Sequence, residues 1–452
     1  MTTLNALQSL VFEKYKNGEN VFLTGPGGSG KSFLIKTIVQ DALENTNKIQ
    51  VCALTGCASI LLNCKATTLH RFAGFGLANK SIEAILEELF TKKRYKLKNW
   101  YNLKCLIIDE VSMMSLKLLL ILDAIARKVY RKLDIPFGGL QVIFSGDFYQ
   151  LPPVKSNDEE KEASMFCFEH ELWNQLFAKE NQIVLTSIFR QEEEDFLKIL
   201  KYVRQGRITH STKALLESRI FKKEELEEIR KNKVLTIINP FKRDSDFINA
   251  KSYSELPKDA EKHVYNIKYL KNSSKKKTEA LEDSLNDLLI ASNSSLKHDY
   301  EFLANNIMAE QTLELKIGTY VMCIANIDLD SVNQIANGSQ GIIVGFENGL
   351  PLVKFNNISD PMLIGYYNWN SETNKNICVS QIPLIYAWAI TIHKAQGVTL
   401  DCAIMDIGKN IFEYGQTYVA LSRVKSLEGL FLTSFDYTKI MANPKVKKFY
   451  EN

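Results

Sequence analysis

Asn20-Val-Phe-Leu-Thr24-Gly25-Pro26-Gly27-Gly28-Ser29-Gly30-Lys31-Ser32 is the stretch from which the fold can be read. Val21 to Thr24 is a short apolar run suited to a buried parallel strand. Gly25 to Ser32 satisfies G-x-x-x-x-G-K-[ST], and Phe33 to Ala42 has helical character. Glycines suit a loop that must wrap a phosphate with backbone N–H groups and adopt positive φ. The following helix adds its unpaired N–H groups and the positive end of its dipole. Lys31 is expected to reach the β- and γ-phosphates, and the Ser32 hydroxyl to hold Mg²⁺. A glycine-rich turn would explain the loop alone, but strand before and helix after point to nucleotide binding.

Working outward, apolar runs recur at Ile49–Thr55, Cys105–Asp109 and Leu140–Asp147, separated by helical stretches. Four strands alternating with helices predict a doubly wound α/β parallel sheet, with ligands at the carboxyl ends of its strands. Those ends carry the phosphate loop, Thr55, the pair Asp109-Glu110, and Asp147 to Gln150. Asp109 would orient Mg²⁺ through its water shell, and Glu110 would polarise an attacking water. Gln150 could hydrogen-bond a γ-phosphate and report its loss. Upstream, residues 4 to 17 read as a helix with Leu4, Leu7, Leu10 and Val11 on one face, and Gln8 fits either an adenine-reading side chain or a solvated helix glutamine.

Farther along, Phe189-Arg190-Gln191 and Leu421-Ser422-Arg423 place arginines in apolar or small settings. A buried arginine needs an anion. A γ-phosphate held between two domains would supply one, and a structural salt bridge is the alternative. Residues 256 to 312 are polar and read as an irregular insertion. Leu315 to Phe355 reads as short strands with turns at Asn337-Gly338 and Asn348-Gly349, suiting a small β-barrel. Ile385–Ile392 and Ala403–Asp406 close a second α/β domain. Lys92 to Tyr101 is basic with interleaved aromatics, which fits a single nucleic-acid strand or a solvated loop equally. The run Lys271 to Lys277 reads more simply as solvated than as a phosphate contact.

Composition bounds the rest. The 452 residues suffice for two to four domains, and a net charge of +4 from 56 basic and 52 acidic side chains does not announce nucleic acid. Eight scattered cysteines without C-x-x-C suggest a reducing compartment and no zinc ribbon. The first ten residues have neither the charge nor the apolar core of a signal peptide, and no 18-residue apolar window exists, so an intracellular, soluble protein without membrane contact is expected.

Together these residues resemble a superfamily 1B DNA helicase of the PIF type (petite integration frequency), related to RecD. Pro136-Phe-Gly-Gly-Leu-Gln-Val-Ile-Phe-Ser-Gly-Asp-Phe-Tyr-Gln-Leu-Pro-Pro-Val154 and Ala387-Trp-Ala-Ile-Thr-Ile-His-Lys-Ala-Gln-Gly-Val-Thr-Leu-Asp401 carry the resemblance most specifically. It implies two RecA-like domains of the P-loop NTPase type. The first is domain 1A over 1–185, with a 1B wedge at about 66–100. The second, 2A, spans 186–255 and 380–452, and an SH3-like barrel domain 2B is inserted at 256–379. It implies ATP and Mg²⁺ as cofactors, with Gln8, the loop Gly25, Pro26, Gly27, Gly28, Ser29, Gly30, Lys31, Ser32, and Gly397 contacting nucleotide. Gln150 is similar to the family's third-motif residue, Arg190 to the fourth and Arg423 to the sixth. Thr55, His70, Phe72, Thr391, His393 and Lys394 fall in motifs that face single-stranded DNA in relatives.

The resemblance further implies 5′-to-3′ movement, unwinding in replication, repair, recombination or telomere maintenance, and forked or G-quadruplex DNA as partners. A monomer in nucleus or cytoplasm is expected. Ala395 stands where the family usually has serine, and Cys57 departs from the usual Thr-Gly-Leu-Ala pattern; neither alters a charge. Long family-type terminal extensions are not expected. A nucleotide-gated DNA-binding or remodelling ATPase that does not separate strands is the second reading, and a small-molecule kinase the third.

Overall fold

The computed structural model describes residues 4–153, 161–271, 300–327, 335–370 and 377–451, apart from fourteen single positions (56, 57, 60, 61, 63, 65, 76, 77, 79, 232, 302, 306, 336 and 357). The lysine run after Lys271 lies outside the described residues. No helix among the described residues is long and apolar enough to cross a membrane.

Val21–Thr24 (β1) is buried at every position and lies deep in a parallel sheet. Its partners are Gln141–Gly146 (β5) on one side and Gln182–Val184 (β6) on the other. With Ile49–Ala53 (β2), Thr67–Thr68 (β3) and Cys105–Asp109 (β4), the order is β3-β2-β4-β5-β1-β6. All pairs are parallel. Four of these strands follow from the apolar runs. The short β3 and β6 do not, because two or three residues carry no readable period. Helix α1 (Ala6–Lys16) and helix α2 (Lys31–Glu44) cover one face, burying Val11, Tyr15, Leu34, Ile35 and Ile38. Leu10, expected on the buried face of α1, is 40% exposed, and Tyr15 occupies the core instead. On the other face Leu116–Tyr130 (α3) and Trp173 complete the first core.

The second lobe repeats the design. Thr236–Asn239 (β7), Ala389–Thr391 (β8), Ala403–Ile407 (β9) and Leu430–Phe435 (β10) form a parallel sheet in the order β8-β7-β9-β10. Helix α4 (Glu194–Arg204) packs on it through Phe196, Ile199, Leu200 and Val203. Between β7 and β8 the chain builds antiparallel sheets. The five-stranded one contains a hairpin of Gln340–Glu347 and Leu350–Phe355. Its turn is Asn348-Gly349, both at positive φ (51° and 75°), as such a two-residue hairpin requires. Lys262–Asn266 and Lys268–Lys271, within the stretch expected to be irregular, are strands pairing with Thr312–Lys316 and Ile377–Gln381. Tyr265, Leu313 and Leu315 share one core with Val321, Ile343, Val353 and Leu384.

The last helix, Pro444–Glu451, departs from the expectation that 380–452 belongs wholly to the second lobe. Ala442 and Val446 are buried in the first core. Phe449 stacks on Phe168 at 4.4 Å and meets the edges of Phe22 and Trp173 at 6.0 and 5.8 Å. The chain end therefore straps the first lobe after the second is complete. Trp173 is 1% exposed and also touches Phe22, Phe144 and Phe177. Trp173→Ala should lower stability by about 3–5 kcal/mol, read as an earlier urea unfolding midpoint.

Candidate functional site

The phosphate loop leaves β1 and turns under the second lobe. Gly28 (φ 80°) and Gly30 (φ 87°) take left-handed backbone, and Gly30 is the N-cap of α2. Lys31 Nζ donates to the carbonyls of Gly25 (2.8 Å) and Pro26 (2.9 Å). Withdrawal from water lowers the Lys31 pKa, and Asp147, Glu110 and Asp109 oppose that shift. Gln8 is 3% exposed; its Oε1 accepts from Asn5 N in a capping box, and its Nε2 lies against Gly30.

Asp109 ends β4 and is buried, while Glu110 adopts left-handed backbone (φ 58°) that turns the chain at the strand end. Burial raises the pKa of both carboxyls, and Asp109 raises that of Glu110 further. Glu110 Oε2 accepts from Gln396 Nε2 at 3.1 Å, a contact from the other lobe.

The second lobe delivers both predicted arginines. Arg423 is 2% exposed, and its guanidinium donates to Val419 O (2.8 Å), Ala395 O (3.3 Å) and Ser422 Oγ (2.7 Å). Half-buried Arg190 donates to Ser422 O at 3.2 Å. A methyl group on Gly27 would stand 3.5 Å from Arg190 Nη1 and 3.6 Å from Arg423 Nη2. Neither arginine has a carboxylate partner within 4 Å among the described residues. Burial, and then the neighbouring Arg190, lowers the Arg423 pKa to about 9. The loop is further tied to this lobe by Gly27 N, which donates to the Tyr418 hydroxyl at 2.9 Å.

These groups surround a cleft of about 560 Å³, lined by Gly27–Phe33 with Asp109, Glu110, Gln150, Arg190 and Arg423. Thr55, His393 and Gly397 also line it. Thr55 and His393, expected to face a strand, thus border the nucleotide cleft. Phe72 is corrected more sharply. It is 2% exposed with its ring 4.7 Å from fully buried Trp100, so both are core, and no face is left for a base. In the same basic run Tyr95 and Tyr101 remain exposed. His70 is half-buried beside Phe75. Thr391 caps the short helix Ile392–Ala395, and with Lys394 it lines a separate cavity of about 240 Å³ beside Lys242 and Asn249. Neither Tyr418 nor Gln396 has a role that follows from the sequence, although Gln396 lies in the quoted stretch Ala387–Asp401 and Tyr418 five residues before Arg423.

No group of three or more His, Cys, Asp or Glu side chains suited to a metal occurs among the described residues. A serine hydroxyl and one carboxylate are nevertheless what Mg²⁺ uses when phosphates and water complete its shell. The donor set at Ser32 and Asp109 fits.

A phosphate loop on one parallel sheet, facing arginines from a second, defines a two-lobed RecA-like P-loop protein. The family model described as PIF1-like helicase matches residues 3–214, and that of the Pif1 2B domain residues 300–346. ATP-dependent DNA helicase PIF1 of Xenopus laevis is 35% identical over 99% of this chain and 64% of its own length. Protein 030L of Invertebrate iridescent virus 6 is 30% identical over 99% of this chain and 94% of its own length. Bacteroides Pif1 in complex with ADP-AlF4 superposes with a TM-score of 0.78 at 28% identity, covering 100% of this chain and 97% of that one. The same enzyme bound to single-stranded DNA superposes at 0.63, with the same identity and coverage. The chain belongs to the PIF1-like helicase family, and it spans just under two thirds of the length of the PIF1 relatives from animals.

A methyl on Gly28 would meet Arg190 Cβ at 2.6 Å, and its φ is unfavourable for any side chain. Gly28→Ala should therefore weaken binding of a fluorescent ATP analogue at least ~10-fold, about 1.4 kcal/mol. Gly345→Ala, with nothing within 4 Å, should leave it unchanged.

Proposed function

We infer that this protein hydrolyses ATP between its two lobes and uses the cycle to move along single-stranded DNA and separate duplex. The observation that carries the inference is the convergence of Arg423 and Arg190 on the phosphate loop without a carboxylate between them. Two cations held this close are unfavourable until a polyanion enters.

With ATP bound, Lys31 exchanges two backbone carbonyls for phosphate oxygens. Glu110 accepts the proton of the attacking water as the bond between the γ-phosphorus and the β-bridging oxygen breaks and ADP leaves. Arg190 and Arg423 stabilise the charge spreading over the transferred group, and Gln150 contacts the γ-phosphate. Magnesium, when held by Ser32 and Asp109, would neutralise phosphate charge. Loss of the γ-phosphate removes the anion that draws the second-lobe arginines inward. The lobes then loosen, and alternating grip advances the strand.

Single-stranded DNA is the track we propose, supported by the strand-bound Bacteroides relative. His70 and the cavity at Thr391 and Lys394 are its proposed contacts; Thr55 and His393 would relay between cleft and strand. Such contacts read backbone and base faces, so sequence preference should be slight and binding salt-sensitive. The resemblance supports 5′-to-3′ movement, forked and G-quadruplex substrates, work in replication, repair, recombination or telomere maintenance inside the cell, and a monomer. It also supports the division into 1A, 2A and 2B; the packing of Val446 and Phe449 in the first core is what supports assigning the last helix to 1A.

The test is release of a labelled strand from duplexes tailed at the 5′ or the 3′ end. ATP-dependent release from the 5′-tailed duplex alone is expected, and Lys31→Ala should abolish both release and hydrolysis. Hydrolysis without release would favour a remodelling ATPase. Arg423→Ala should reduce kcat by about 10³-fold or more with little change in nucleotide affinity. An unchanged kcat would make that arginine structural.

A further inference from the structure

The turn that presents Gln150 is held from three sides. Phe148 and Tyr149 belong to the first core, Leu151 to the second, and Gln150 lies between. Gly415 supports the turn from the second lobe, where an added methyl would meet Gln150 O at 2.4 Å. Asp147 is fully buried, and its two oxygens accept from Arg204 Nε and Nη2, each at 2.8 Å. Arg204 is the final residue of α4, the helix that follows Arg190. Its guanidinium lies over the rings of Tyr149 (4.6 Å) and Tyr450 (5.5 Å), which stack on each other at 4.9 Å and 12°.

Tyr450 comes from the last helix, Pro444–Glu451. Its hydroxyl bonds the Thr24 hydroxyl at 2.6 Å and accepts from Phe148 N at 3.3 Å. Thr24 is the residue before the phosphate loop. One side chain therefore ties the strand entering that loop to the turn bearing Gln150, while Arg204 ties the same turn to the helix after Arg190.

We propose that Arg204 and Tyr450 are positioning residues for phosphoryl transfer. They fix Gln150 relative to the phosphate loop and couple its position to the second lobe. The proposal rests on Gln150 contacting the γ-phosphate, as read above. A buried bidentate arginine–carboxylate pair sets direction as well as distance, and a single-point lysine cannot replace it. The hydroxyl of Tyr450 sits on the aromatic stack, so its removal leaves the packing while cutting the tie to Thr24 and Phe148. Placement errors of about 1 Å at a reacting centre cost up to about 10²-fold in rate, so these ties act on kcat.

The test is ATP turnover by this 452-residue chain with Tyr450→Phe, Arg204→Lys, Gln150→Ala, and each of the first two combined with Gln150→Ala. Tyr450→Phe should lower kcat about 3- to 30-fold, the scale of the two hydrogen bonds its hydroxyl makes, with KM for ATP within about twofold and the melting temperature little changed. Arg204→Lys should cost more. In the Gln150→Ala background the same substitutions should have no further effect, because residues acting through one group are not additive. Losses that multiply in the double variants, or unchanged kcat in the single ones, would overturn the proposal. If Arg204→Lys does not fold, Tyr450→Phe alone decides. Turnover that Lys31→Ala abolishes while Tyr450→Phe leaves it intact would refute the clamp and leave the hydrolytic reading standing.

Discussion

Positive charge with no directly bonded carboxylate, held at the seam between the lobes, is the constraint on which the rest of the structure depends. Arg423 is among the largest fully buried side chains, and the groups around it are backbone carbonyls and a serine hydroxyl. Partial charges of that kind keep a guanidinium tolerable inside a protein without neutralising it. Its lowered pKa expresses the same imbalance, caused by burial first and Arg190 second. Both parallel sheets serve to bring this charge to the phosphate loop. One ends in the loop and Asp109, and the other carries the short helix Gln416–Leu421 that leads into Arg423.

The two lobes are not merely juxtaposed. Gly27 bonds Tyr418, Glu110 bonds Gln396, Asp147 pairs with Arg204, and the last helix returns to the first core. Most of these ties converge within a few residues of the cleft, so the nucleotide's arrival and departure act where the lobes are joined. A hinge far from the chemistry would need a longer chain of packed groups to carry the same signal. Here the distance is one side chain.

Much of the cleft was legible because its chemistry is local. A phosphate loop needs glycines at fixed offsets, and the acids and Gln150 stand at strand ends, so the sequence already pointed to one cleft for Gly27 to Ser32, Asp109, Glu110 and Gln150, and the structure lines it with them. The arginines stood out as charges in apolar runs. What escaped was set by packing between distant segments. Phe72 falls in a motif that faces DNA in relatives, yet its ring packs against Trp100, 28 residues later. Nothing local to Pro444–Glu451 says that Phe449 and Tyr450 will cross back to Phe168 and Tyr149. The strands at 262–271 were hidden because a sheet edge among polar residues shows little alternation. Thr55 and His393 line the nucleotide cleft as well, a placement their motif position does not fix, because it leaves side-chain direction open.

A structure of this chain with ADP and a planar or tetrahedral γ-phosphate mimic is the most direct measurement. The account predicts that the guanidinium groups of Arg190 and Arg423 leave Ser422 O and Val419 O and donate to the mimic, with Gln150 on the same group. Both arginines still bonded to those backbone carbonyls while the mimic sits in the phosphate loop would contradict it.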